Sequence, residues 1–138
     1  MANEQLANVP VVTRFVREVI GCDCPAEVFR HIEVTRGSTA VKSCPADYEL
    51  RIGGRLLIVV TSASAASLAG PRLGQIVAEG RRARDDGKFN RFRLVVQGRN
   101  ADEDRERLLR AFEAAPAIDE KTHLHVLEMD EVPDFFSP

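Results

Sequence analysis

The segment "YELRIGGRLLIVV", Tyr48 to Val60, restricts the fold of this chain more than any other stretch. Tyr48, Leu50 and Ile52 alternate with polar residues, so one face of that strand is apolar and the other should meet water. Gly53-Gly54 supplies two residues that accept positive φ angles, enough for a two-residue hairpin turn. Leu56 to Val60 is then apolar at every position, the mark of a strand covered on both faces.

Around this hairpin the sequence predicts an α/β order. Asn8 and Pro10 can start a helix in which Val12, Phe15, Val16, Val19 and Ile20 share one buried stripe, and Gly21 ends it. Pro25 can open a second, short helix, with Glu27 in its first turn. Ile32 and Val34 read as a strand that "RGST" breaks. After the hairpin, a helix runs from Pro71 to a cap at Gly87, "RFRLVVQG" is a strand, "DEDRERLLRAFEAA" a helix and "THLHVLEM" the last strand. The expectation is one α/β domain over residues 1–138 with a five-stranded mixed sheet, order α-β-β-β-α-β-α-β. The last three strands should be parallel with right-handed crossovers, and the hairpin adds an antiparallel strand. Residues 1–8 and 131–138 read as flexible ends, although Phe135 and Phe136 would be costly to expose and should pack on the domain or on a second subunit.

A chain of 138 residues can bury a sufficient core without disulfides or metal. Its net charge of -2 creates no global field toward nucleic acid or lipid, so nucleic acid is not an expected partner and any anion site must be local. The sequence offers no signal peptide and no apolar run near the ~20 residues of a membrane span, so it reads as cytoplasmic with no membrane partner. Three cysteines are too few for a secreted disulfide framework, and in a reducing compartment read as free thiols, metal ligands or redox residues.

The CDC step, Cys22 and Cys24, is the foremost chemical candidate. If Pro25 is the first helical residue, Cys24 occupies the cap, where free N–H groups favour a thiolate, while Asp23 and Glu27 oppose it; the alternative is that both thiols fill space under the first helix. The pair could also hold zinc or another transition metal, with Cys44 as a third sulfur and His123 and His125, two apart on one strand face, as nitrogen ligands. Against this, the histidines also read as partly buried strand residues. The loop "TSASAASLAG" leaves an apolar strand and leads into a helix, a junction where Ser62, Ser64 and Ser67 could meet an anion, although no GxGxxG or GxxxxGK[ST] is present. "EGRRARDDGKFNRFR" interleaves Arg81, Arg82, Arg84, Lys88, Arg91 and Arg93 with Phe89 and Phe92; this is either a phosphate-backbone surface or a set of cations stabilised by a helix C-terminus.

The stretch "CPADYELRIGGRLLIVVTS" resembles the part of restriction-endonuclease-like nucleases in which a Pro-Asp step precedes a hairpin whose second strand carries Glu-x-Lys, and the order helix, strand, hairpin, helix, strand is similar too. The resemblance implies that Asp47 stands for the family's metal-binding aspartate. The second strand ends in Val60-Thr61-Ser62, without the acid or the lysine, so what is implied is a shared architecture and an inactive relative.

Two functions follow from the sequence, and neither is established as an enzyme. One is a small thiol or metal-binding, redox-responsive protein centred on the CxC pair. The other is a non-catalytic interaction module that meets a protein or nucleic acid through the basic helix end and the "DFF" tail, its protein partner being another chain or a second copy in a homo-oligomer.

Overall fold

The computed structural model describes residues 6–68 and 70–136. Helix α1 spans Val9–Arg14 and continues as a π-helical turn over Phe15–Val19. Its start is fixed by Asn8, whose side chain accepts a hydrogen bond from the Val11 amide at 3.3 Å, with Pro10 in the first turn. A short 3-10 helix, Ala26–Arg30, leads into β1, Ile32–Arg36. The hairpin follows as β2, Tyr48–Ile52, and β3, Leu56–Thr61. Then come α2, Ala65–Leu68, α3, Pro71–Asp86, β4, Arg91–Gly98, α4, Ala101–Glu113, and β5, Thr122–Glu128, with a final 3-10 turn at Met129–Glu131.

The strands form one five-stranded mixed sheet in the order β1-β2-β3-β4-β5. β1, β2 and β3 pair antiparallel, and β3, β4 and β5 pair parallel. Strand β3 is buried at all six positions, as an apolar run without alternation requires. Alternate residues of the central strands therefore belong to two separate cores. Leu57, Val59, Phe92, Leu94, Val96 and Val126 face α2, α3 and α4. Leu56, Ile58, Val60 and Val95 face α1, its π-helical extension and the Ala26–Arg30 helix.

The hairpin connection is one residue longer than expected: Ile52 pairs with Leu56 across Gly53, Gly54 and Arg55. Gly53 and Gly54 do take positive φ angles, 59° and 64°. Gly53 carries a second constraint, since a β-carbon there would stand 2.5 Å from the Val28 carbonyl oxygen, and the close approach seats the Ala26–Arg30 helix on the hairpin.

The polar face of β2 does not simply meet water. Glu49 is buried because residues 38–46 fold over it: its carboxylate accepts hydrogen bonds from the Ser38 hydroxyl at 2.7 Å, the amides of Thr39 and Ala40, and the Arg51 guanidinium at 2.7 Å. Burial alone would raise the Glu49 pKa, but the bonds from Ser38, Arg51 and Ala40 outweigh it and hold the group below its ordinary value. Glu79 of α3 holds the other end of the same loop, accepting from the Lys42 and Ser43 amides and the Ser43 hydroxyl.

In the segment read as a flexible end, the rings of Phe135 and Phe136 are buried. Phe135 is fully buried, its ring edge-on to Phe15 at 5.0 Å and to Tyr48 at 4.9 Å. The Arg36 guanidinium lies 4.6 Å from the centre of the Phe136 ring. At the other end Ala7 bridges Phe136, and the Asn8 amide donates to the Phe135 carbonyl at 2.9 Å. Residues 1–5, 137 and 138 lie outside the described residues. Phe135→Ala should lower the unfolding free energy by about 3–5 kcal/mol, read from urea denaturation, because it empties a site enclosed by two other rings.

Candidate functional site

The two CDC cysteines are joined: Cys22 and Cys24 form a disulfide, with Cα atoms 5.5 Å apart. The expected capping position for Cys24 is corrected, since Pro25 is extended and itself precedes the 3-10 helix, which is too short to carry a useful dipole. Other bonds hold the loop. Gly21, with φ of 79°, turns the chain out of the first helix so that the Cys22 amide donates back to the Val16 carbonyl at 2.9 Å. Arg17 reaches over the Phe29 ring at 5.0 Å and donates to the Cys24 carbonyl at 3.2 Å. Both cysteines stay partly accessible.

The disulfide borders a cleft of about 240 Å³ that Arg55, Arg91 and Arg93 also line. Alternation in β4 puts Phe92 into the α3/α4 core and turns Arg91 and Arg93 to the opposite side, the side of the cysteines. The parallel register sets Arg93 beside His123 and Val95 beside His125. Arg93 connects the two parts of the site: it lines the cysteine cleft, and its guanidinium stands 2.9 Å from Nε2 of His125. Since arginine can only donate, that contact makes Nε2 the acceptor and places the proton of a neutral His125 on Nδ1. Burial, then the Arg93 charge, then His123, push the His125 pKa down to about 4. His123 is lowered in the same direction, by burial first and then by Arg93 and Arg91. Nε of Arg93 and Nε2 of His123 are buried without a hydrogen-bond partner among the described residues.

The five proposed metal ligands do not come together. Cys22 and Cys24 pack with the α1 side, whereas Cys44 is buried on the other face of the sheet among Val41 and the α3 residues. Burial raises the Cys44 pKa, which leaves it an unreactive thiol. Among the described residues no group of three or more His, Cys, Asp or Glu could hold a metal ion. His123 and His125 do share a strand face, but their neighbour is a guanidinium, which repels a cation.

The proposed anion loop is arranged differently from its sequence reading. Strand β3 leads first into the four-residue α2, and Ser67 lies within it. Ser64 accepts from the Ser67 amide at 3.1 Å, and the Ser67 hydroxyl accepts from Arg72 at 3.2 Å. Ser62 and Ser64 line a cleft with Gln97, Arg99 and Asn100, but Glu128 already accepts from the Ala101 amide at the start of α4. The basic stretch is divided as well. Arg84 is buried and forks onto Asp119 at 2.8 and 2.7 Å, and Arg81 also pairs with Asp119 at 3.4 Å. These cations belong to the α3 side, so they form no single surface with Arg91 and Arg93. The "DFF" rings, invoked for an interaction surface, are buried within the fold.

Arg55 had no sequence signal, because a turn arginine reads as solvated. Arg91 and Arg93 had one: in R-F-R a core phenylalanine fixes both arginines on the opposite face. No protein family, curated protein or solved structure matches this chain. Among the described residues no helix is long and apolar enough to cross a membrane.

His125 predicts a specific pH dependence. Its folded pKa lies below the unfolded value, so the unfolded chain takes up the proton first, and stability falls as pH drops from about 6.5 toward about 4. Between pH 7 and 4.5 the wild type should lose about 2–3 kcal/mol more than His125→Gln, which can still accept from Arg93 but cannot titrate. Urea denaturation at the two pH values measures the difference.

Proposed function

We propose that the protein is a redox-responsive thiol protein whose Cys22 and Cys24 interconvert between a dithiol and a disulfide. The observation that carries this reading is the bond between them, closed in a partly accessible loop beside Arg55, Arg91 and Arg93. A structural staple is the weaker explanation. Closing so short a loop removes only about 1.5–2 kcal/mol of unfolded-chain entropy, against about 3 kcal/mol for a 15-residue loop. Its two cysteines are only partly buried against one of the two cores. In the dithiol state the neighbouring arginines favour a thiolate electrostatically, and the thiolate is the form that attacks or leaves in thiol–disulfide exchange. Buried Cys44, on the far face, takes no part.

Equilibration in thiol/disulfide buffers of graded potential, followed by acid quenching and alkylation, should show one two-electron transition involving Cys22 and Cys24 together. Cys44 should stay unlabelled until the chain is unfolded. Cys22→Ser should abolish the transition and leave a Cys24 thiol that alkylates at least about tenfold faster than Cys44. Independent, unselective labelling of all three cysteines at every potential would falsify the reading.

A second reading concerns ancestry. We infer that the chain is an inactive relative of the restriction-endonuclease-like nucleases. Asp47, the stand-in for their aspartate, accepts from the Gln97 amide at 3.0 Å, and the Thr61 hydroxyl donates to the Pro45 carbonyl at 2.6 Å. Both supports are consistent with a site turned to structural bonding, with no lysine to activate a water. This ancestry is compatible with the thiol function, which uses the other end of the sheet.

A further inference from the structure

The four arginines that are not exposed divide into two kinds. Arg84 meets Asp119 at 2.7 Å and Arg105 meets Asp102 at 2.7 Å. Arg91 and Arg93 meet no carboxylate among the described residues. Arg91 reaches only the Asn90 carbonyl at 3.5 Å, and Arg93 reaches only the His125 ring. Together with the exposed Arg55, which makes no ion pair among the described residues, they line the cleft against one carboxylate, the exposed Asp23. Partly burying Arg91 and Arg93 without acids costs stability unless something anionic is met there. The cleft is also small: about 240 Å³ lies below the ~300 Å³ at which pockets for drug-sized ligands begin. A small acid of a few heavy atoms fits it.

We propose that this cleft binds the anionic group of a small acidic thiol, a carboxylate or sulfonate, and that such a thiol is the reductant of the Cys22–Cys24 bond. The inference rests on the redox reading above and names its substrate class. The guanidinium groups hold the oxyanion while the thiolate of the same molecule attacks one cysteine sulfur. The S–S bond breaks, the other cysteine leaves as a thiolate and takes a proton, and a mixed disulfide remains. A second thiol molecule attacks the mixed disulfide at its own kind of sulfur, releases the remaining cysteine and departs as a disulfide. Two thiols are oxidised, the protein bond is reduced by two electrons, and two protons end on Cys22 and Cys24. Arg55 and Arg91 are substrate-binding residues in this scheme, and Arg93 also holds the His125 ring.

The test compares reduction of the oxidised protein by 2-mercaptoethanesulfonate, 2-mercaptoethanol and cysteamine at matched thiolate concentrations, followed by alkylation and mass measurement. The anionic thiol should react about tenfold faster than the cationic one at low salt, with the neutral thiol between them, and the spread should shrink as salt screens the cleft. In the double variant Arg55→Gln, Arg91→Gln the ratio of anionic to cationic rates should fall to about twofold. Neither side chain forms an ion pair in the fold, so the variant should melt cooperatively like the wild type, and each single variant gives an intermediate ratio if it does not. Equal rates for the three thiols, or a ratio unchanged in the variants, overturns the substrate class while leaving the redox reading intact. Failure of dithiothreitol itself to open the bond in the folded protein overturns both.

Discussion

The complete burial of β3 governs everything else in this structure. A strand apolar at every position must be covered twice, and the chain meets that demand with α2, α3 and α4 on one face and the α1 segment, the Ala26–Arg30 helix and the Phe135 ring on the other. Strand alternation then sorts each neighbouring residue to one core or the other. That sorting separates Cys44 from the cysteine pair, and it puts Arg91, Arg93, His123 and His125 on the pair's side of the sheet while sending Phe92 and Val126 to the other.

The resulting site has a consistent electrostatic character. Elsewhere the buried charges are matched: Arg84 by Asp119, and Glu49 and Glu79 by amides, hydroxyls and Arg51. Asp119 is held well below the ordinary carboxylate range, by the Arg84 guanidinium first and then by Thr122, against the opposing effect of burial. Around the disulfide, Arg91 and Arg93 meet no carboxylate among the described residues. A neutral histidine is the partner of Arg93, and it is neutral because burial and that same guanidinium make a second positive charge expensive. Unmatched positive charge next to a sulfur–sulfur bond is an arrangement suited to thiolates and to anions, not to metal cations.

Much of the fold was legible because it rests on local patterns. The hairpin, the helix from Pro71 to Gly87 and the five-strand order follow from alternation, apolar spacing and glycine or proline positions. What sequence reasoning missed depended on contacts distant along the chain. Glu49 reads as a solvent-facing strand residue, and only the return of residues 38–46 buries it. Pro25 reads as a helix start, but a 3-10 turn seated on Gly53 replaces the expected helix and removes the cap that was to activate Cys24. The terminal phenylalanines sit in a polar tail, and their packing is set by Phe15 and Tyr48 far upstream. The cysteine pair was identifiable as the chemical centre, whereas its arginine surroundings required knowing that β4 lies beside the loop.

The loop carrying the disulfide is fastened twice without it, by the Cys22 amide on Val16 and by Arg17 on the Cys24 carbonyl. Neither of these bonds involves the sulfur atoms, so the backbone is anchored on either side of the bridge independently of it. The bridge lies at the molecule's skin, so a reagent meets it at residues 22–25 without passing through either hydrophobic layer.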